Sequence, residues 1–304
     1  MKKLTVFFIV FFSNILFSQE NKKEYDYIKD YYQLVYEANY NYEIGNDSLA
    51  YNLLKKAESN CPLLNQSGIY EIDILAKLSA KFNKHDEALG YIELLLKKFG
   101  YKFRQFENDI VFTSLKTKSK WKKLKKNSDK IHQEYLKKVN FPLRNEIKLI
   151  SDKDQEVRLR GIIDWKEVDS VDRIHEDRLK VIIQEFGYPD ENIIGNQNLA
   201  WGSNELSPDI STLIMHIRDI DYWKPIFLDL IRRGKAPANI YGNLVDSLQR
   251  QTGMFHYGIY QNITPDRIID FDKIDERRIA VGLSTWDLQK KMYDLLMKEW
   301  GNEN

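Results

Sequence analysis

Five side chains in the second half of the chain are of types suited to acid–base chemistry: Arg158, His216, Asp246, His256 and Tyr257. A histidine takes and returns a proton near neutral pH, a carboxylate can orient it, a phenol can donate, and a guanidinium can hold an anionic substrate. Such a set would serve a hydrolase or transferase. No serine or cysteine stands in a Gly-x-Ser-x-Gly setting, so a covalent nucleophile is not indicated. No His-x-x-x-His pair occurs and His216 and His256 lie forty residues apart, so neither a metal site nor a cofactor is expected. Each candidate also has a plainer reading. His216 stands at the edge of an apolar helix face, where a hydrogen-bonded structural histidine is common. Tyr257-Gly258 reads as a turn with glycine at positive φ and the tyrosine packed, and His175 reads as core.

The elements that must position these residues are helices. From residue 25 to 99 apolar residues recur at spacings of three and four with no alternating strand pattern. Residues 25–43 form one helix, stopped at Gly45-Asn46, and a second begins at Asp47/Ser48 and carries Leu49, Leu53, Leu54 and Ala57. The pattern returns at 69–82 and, from Asp86, through Ala88, Tyr91, Leu95 and Phe99. Further on, helices are expected from about Asp172 to Phe186, over 210–217, 222–232 and 241–251, and over 285–300. A change of composition after Phe141-Pro142 marks the start of a second domain.

The chain has 304 residues, 43% hydrophobic and 30% charged, which excludes a disordered or collagenous polymer and allows about two domains. Its single cysteine, Cys61, cannot pair within the chain and is expected to be buried. Lys2 and Lys3 precede an apolar run over 4–17 that gives way to Gln19-Glu20-Asn21, the pattern of a signal peptide over 1–18 with cleavage near Ser18. Export, to periplasm or exterior, is therefore expected. The formal net charge is +1, yet ten lysines and two acids lie between 116 and 138, a local +8. An amphipathic linker helix over 127–142 accounts for part of this stretch. Weak contact of the basic stretch 116–138 with an anionic surface is expected, while nucleic acid is not an expected partner because no arginine is present there for phosphate chelation.

The hairpin period of a little over thirty residues, with Ala50 and Ala88 early in the second helices and Phe82 late in a first helix, resembles tetratricopeptide repeats over 25–126. Asp109 to Leu115, with Trp121 and Leu124, is similar to the closing segment that follows such repeats in exported bacterial proteins. Residues 145–290 resemble a bacterial family catalogued as domain of unknown function 6624. The resemblance is carried by Asp154-Gln155 with Arg158, Gly187-Tyr188-Pro189 and Gly195, His216, Asp246, Gly253, His256, Tyr257-Gly258, Asp275 to Arg278, and Gly282-Leu283. The chain departs from that family at Met215, Ile217-Arg218, Ser247 and Ile259-Tyr260, where three polar side chains are lost. The resemblances imply a mostly α chain, with helical-hairpin repeats over 25–126 and a mainly helical C-terminal domain over 143–304. They imply an exported interaction or scaffolding protein that binds a protein or peptide through its repeats; the alternative is an exported hydrolase or transferase with the acid–base site above.

Overall fold

The computed structural model describes residues 24–196 and 210–302; the segment 1–18, read above as a signal peptide, lies outside them. It is mostly helical, with sixteen α-helices among the described residues. The first hairpin joins a short α1 (Tyr27–Asp30) and α2 (Tyr32–Glu43) to α3 (Asp47–Asn60), and the second joins α4 (Glu71–Lys81) to α5 (His85–Lys98). Ala50 and Ala88 are fully buried where the helices of each hairpin meet, and Cys61 is buried at the end of α3. The loop between the hairpins is held by one carboxylate. Glu71, at the first residue of α4, accepts from Tyr31 Oη (2.6 Å) and from the backbone N–H of Leu64 (3.2 Å), Asn65 (2.6 Å) and Gln66 (2.7 Å).

Both outer faces of this stack are covered by the same chain. Over α4 and α5 lie α6 (Phe103–Glu107), a 3-10 turn (Ile110–Leu115), α7 (Ser119–Lys126) and α8 (Ser128–Leu136), the turn against α4 and α7 and α8 against α5. Phe103, Phe106, Phe112 and Trp121 form one aromatic group there, with Phe103 and Trp121 at 4.9 Å between centroids. Lys122, Lys123, Lys125 and Lys126 face outward from α7, while Lys120 pairs with Glu93 at 2.9 Å and Lys125 with Glu107. On the opposite side, Tyr32 Oη donates to the carbonyl of Ile231 (2.9 Å), Gln33 Nε2 to that of Leu283 (2.7 Å) and Tyr36 Oη to that of Gly282 (3.1 Å). The apolar core is accordingly continuous from Tyr27 to Leu283.

The second half is built on α9 (Phe141–Arg158) and α10 (Trp165–Phe186), which pack together, with α11 (Glu191–Ile194) against α9. Then come α12 (Ser211–Ile214), α13 (Ile220–Arg232), α14 (Asn239–Leu248), α15 (Ile274–Ala280) and α16 (Trp286–Asn302). Three of these differ from the spacing-based expectation. Phe141-Pro142, read above as a break, opens α9: Asn140 caps it by accepting from Leu143 N at 3.1 Å, and proline is tolerated where the N–H has no intrahelical partner. Helix α10 begins at Trp165 rather than near Asp172, because Asp164 caps it through Lys166 N at 2.9 Å. Helix α12 ends at Ile214 instead of continuing to 217. Ser247 Oγ takes the carbonyl of Met215 (3.0 Å) and Glu176 takes the N–H of Arg218 (3.2 Å), which draws 215–218 out of the helix.

Gly282 sits at φ +87°, and a Cβ there would lie 3.0 Å from the Tyr32 ring and 3.1 Å from Ile231. Gly282→Ala is expected to cost about 1–3 kcal/mol, from left-handed backbone strain and from the crowded seam. The check is the melting temperature by calorimetry; an unchanged value would show that the seam between the hairpins and the second half carries no stability.

Candidate functional site

Asp154, Arg158 and His216 come together where α9, α10 and the end of α12 meet. Asp154 and Arg158 are four residues apart on α9 and so share a face. Along α10, Asp172, His175, Glu176 and Leu179 follow a similar periodicity and are buried, with Asp172 and His175 toward α9. Asp154 is 1% exposed, and its Oδ1 accepts from Arg158 Nη1 (2.8 Å) and pairs with His216 Nδ1 (2.9 Å); its Oδ2 accepts from Gln155 Nε2 (2.7 Å). The guanidinium of Arg158 reaches on to Asp172 Oδ1, so one cation bridges two buried carboxylates. Arg218 Nη2 lies 2.5 Å from Asp169 and 3.5 Å from Asp172. Glu176 anchors the chain beyond His216, accepting from Arg218 N and, at 2.9 Å, from Trp223 Nε1.

Removal from water pushes the Asp154 carboxyl up, but the hydrogen bond and charge of His216 and the nearby Arg158 guanidinium outweigh this and hold it below the usual carboxylate range. An ionised Asp154 makes His216 Nδ1 the donor, which leaves Nε2 as the basic nitrogen of the neutral ring. The His216 side chain is 26% exposed, so a buried carboxylate stands behind a ring that reaches solvent. His175 is buried at the edge of this group, its Nδ1 4.0 Å from Asp154 Oδ1 and without a hydrogen-bond partner. Burial pushes its pKa down, so it stays neutral beside the pair.

Asp154, Asp172 and His216 also bring three ligand-type atoms within 4.8 Å of one another. Arg158 already occupies the place that a cation would take between the two carboxylates, and it neutralises one of their charges. The donor set therefore fits a divalent ion only if the guanidinium is displaced.

Asp246, His256 and Tyr257 form a separate, structural group. The fully buried Asp246 accepts from the backbone N–H of His256 and Tyr257 (both 2.9 Å) through Oδ1, and of Ile259 (2.8 Å) through Oδ2. From the other side, Arg277 donates to the carbonyl of His256 (3.2 Å), and the fully buried Arg278 donates to that of Tyr257 (2.5 Å). The turn is closed by Gly258 at φ +60°, where a Cβ would meet the Trp286 ring at 2.4 Å. Burial, aided by the Arg277 charge, pushes the His256 pKa down, and burial pushes the Tyr257 phenol up. Asp246 thus orients a loop and not an imidazole. The residues of this cluster that composition and spacing did not single out for chemistry are Asp154, the bonded partner of His216, and Asp172, His175 and Arg218 around it. The recoverable signal was the run of polar residues at core-facing spacings, Asp154/Arg158 and Asp172/His175/Glu176.

Comparison with family models, with curated proteins and with solved structures finds no match.

Two predictions follow from the geometry of the cluster. Asp154→Asn is expected to lower stability at pH 7 by about 2–3 kcal/mol, because the half-buried Arg158 and His216 lose the buried charged acceptor they share. A carboxyl with a depressed native pKa contributes fully above the ordinary aspartate value near about 4 and loses that contribution as pH falls through its native value. The gap between wild type and Asp154→Asn in urea unfolding should therefore narrow from pH 7 to pH 3; a constant gap would show that Asp154 is not ionised in the fold. In thermal melts, zinc and chelator are expected to leave the midpoint unchanged, and a zinc-dependent rise that Asp172→Asn abolishes would show that a metal displaces Arg158.

Proposed function

We propose that this chain is an exported hydrolase or transferase in which His216 acts as general base and general acid, oriented by Asp154. The observation that carries the reading is the 2.9 Å contact between the buried Asp154 carboxylate and Nδ1 of the partly exposed His216 ring. Catalysis needs a base whose tautomer is fixed and whose free nitrogen can reach substrate, and this arrangement supplies both. Arg158 is engaged by Asp154 and Asp172, and Arg218, whose side chain is 55% exposed beside the cluster, is paired with Asp169 and Asp172, so neither guanidinium is free and the reading rests on the His216–Asp154 pair. Further support comes from position: Asp154, Arg158 and His216 are among the residues that carry the resemblance to domain of unknown function 6624, and they converge from distant parts of the sequence. Export rests on the basic-then-apolar N-terminal pattern.

An interaction role has its own support, at a place other than the hairpin stack. The faces by which the hairpins would stack onward are covered by the chain itself, whereas the turn between α9 and α10 exposes Leu159 (79%), Ile162 (90%) and Trp165 (67%). Exposed apolar residues grouped in this way are typical of a protein- or peptide-binding surface.

The test is turnover of a panel of ester, phosphoester, glycoside and peptide substrates by the mature chain, with His216→Ala and Asp154→Asn beside it. His216→Ala is expected to lose about 100-fold or more in kcat/KM, the ordinary worth of a general acid–base group. Asp154→Asn is expected to lower kcat with little change in KM, while Ile162→Ser leaves turnover unchanged. Turnover that survives His216→Ala, or no turnover of any substrate class, would contradict the acid–base reading.

A further inference from the structure

Beyond α14 the chain loops through 249–263 and returns alongside itself. Phe255 N donates to the carbonyl of Arg267 (2.8 Å), and Ile269 N donates to that of Phe255 (3.0 Å). Beside this pairing lies a solvent-open surface pocket of about 530 Å³ lined by Arg250, Phe255, Tyr260, Asn262, Ile263 and Arg267 among others. Its floor is aromatic, with the Phe255 and Tyr260 rings 5.6 Å apart and nearly perpendicular. Each ring carries a guanidinium on its face: Arg250 lies 4.5 Å from the Tyr260 centroid and Arg267 lies 5.2 Å from that of Phe255. Arg267 is further fixed by its Nε, which donates to the carbonyl of Gly253 at 3.0 Å.

Arg250 and Arg267 differ from the arginines that are tied up in surface ion pairs. Arg160, Arg178, Arg218, Arg232 and Arg233, elsewhere on the surface, each face a carboxylate. Arg250 and Arg267 face rings and a carbonyl, with no acid at ion-pair distance among the described residues. Two guanidiniums held side-on by ring faces keep their N–H edges for an acceptor, and a planar fork of that kind matches a phosphate or carboxylate. The volume falls in the range of small-molecule sites.

We propose that this cavity binds a small organic oxyanion, a phosphate ester or carboxylate carried on a flat apolar body, with Arg250 and Arg267 holding the oxyanion and Phe255 and Tyr260 the body. The site is independent of the acid–base pair, since it uses none of the residues around His216.

Calorimetric titration of the mature chain with phenyl phosphate, benzoate, inorganic phosphate and benzyl alcohol tests it. Phenyl phosphate or benzoate is expected to bind saturably, at least about tenfold more tightly than inorganic phosphate, which lacks the apolar body, with benzyl alcohol not binding. Whichever of the two aryl anions binds more tightly identifies the oxyanion. Arg250→Gln, at an exposed position whose described contact is the ring face, is expected to keep the wild-type melting temperature and to weaken binding by about tenfold or more, the worth of a lost charge-assisted hydrogen bond. Arg233→Gln, outside the cavity, should bind as wild type does. Absence of aryl-anion binding at millimolar concentration, equal binding of benzyl alcohol, or unaltered affinity in Arg250→Gln would overturn the proposal.

Discussion

A carboxylate taken out of water must be met by cations or hydrogen-bond donors, and the arrangement of the second half of this chain follows from meeting that demand at Asp154. Helix α9 supplies the carboxylate and, one turn on, Arg158. Helix α10 supplies Asp172 as the second arm of the guanidinium bridge, and Glu176 to hold the segment beyond α12. The short α12 then delivers His216 to the remaining lone pair. Remove the carboxylate and Arg158 and His216 lose their common partner.

Three buried carboxylates illustrate how the identity of the donors separates structure from chemistry. Glu71 collects three backbone N–H groups and a tyrosine hydroxyl between the two hairpins. Asp246 collects three backbone N–H groups in the 256–259 turn. Neither has a titratable base as partner, and each acts as a staple for irregular backbone whose N–H groups would otherwise be unsatisfied. Asp154 differs because its donors are side chains, one of them an imidazole that reaches solvent. A buried carboxylate spent on backbone is structural; one spent on a partly exposed histidine can set a tautomer.

The same distinction explains what could be read from the sequence. The two hairpins were legible because Gly45 and the turn at Asn83 interrupt clean apolar periodicities, though the division of the first helix at Tyr31 into α1 and α2 was not, and the mostly helical character follows from them. Helix α9 was not, since Phe141-Pro142 looks like punctuation until Asn140 is seen to cap it. In the site, His216 and Arg158 were legible by type. The choice of Asp246 as the orienting carboxylate was reasonable chemistry at the wrong address, because nothing in one sequence says whether a buried aspartate faces a ring or a row of N–H groups. Ser247, adjacent to it, does reach the carbonyl of Met215, so the two groups are neighbours along the chain path without sharing the histidine. Asp154 carried its own hint, an i,i+4 partner in Arg158 at a core-facing position, where an unpaired charge would be costly.

The most direct test of the account is the tautomer of His216, read from long-range nitrogen–proton correlations of the labelled mature chain at a pH where the ring is neutral. The account predicts a proton on Nδ1 and a bare Nε2, with the balance shifting toward the Nε2–H form in Asp154→Asn. A wild-type ring that carries its proton on Nε2, or a tautomer indifferent to Asp154→Asn, would contradict it, because His216 would then not be the oriented base that the geometry implies.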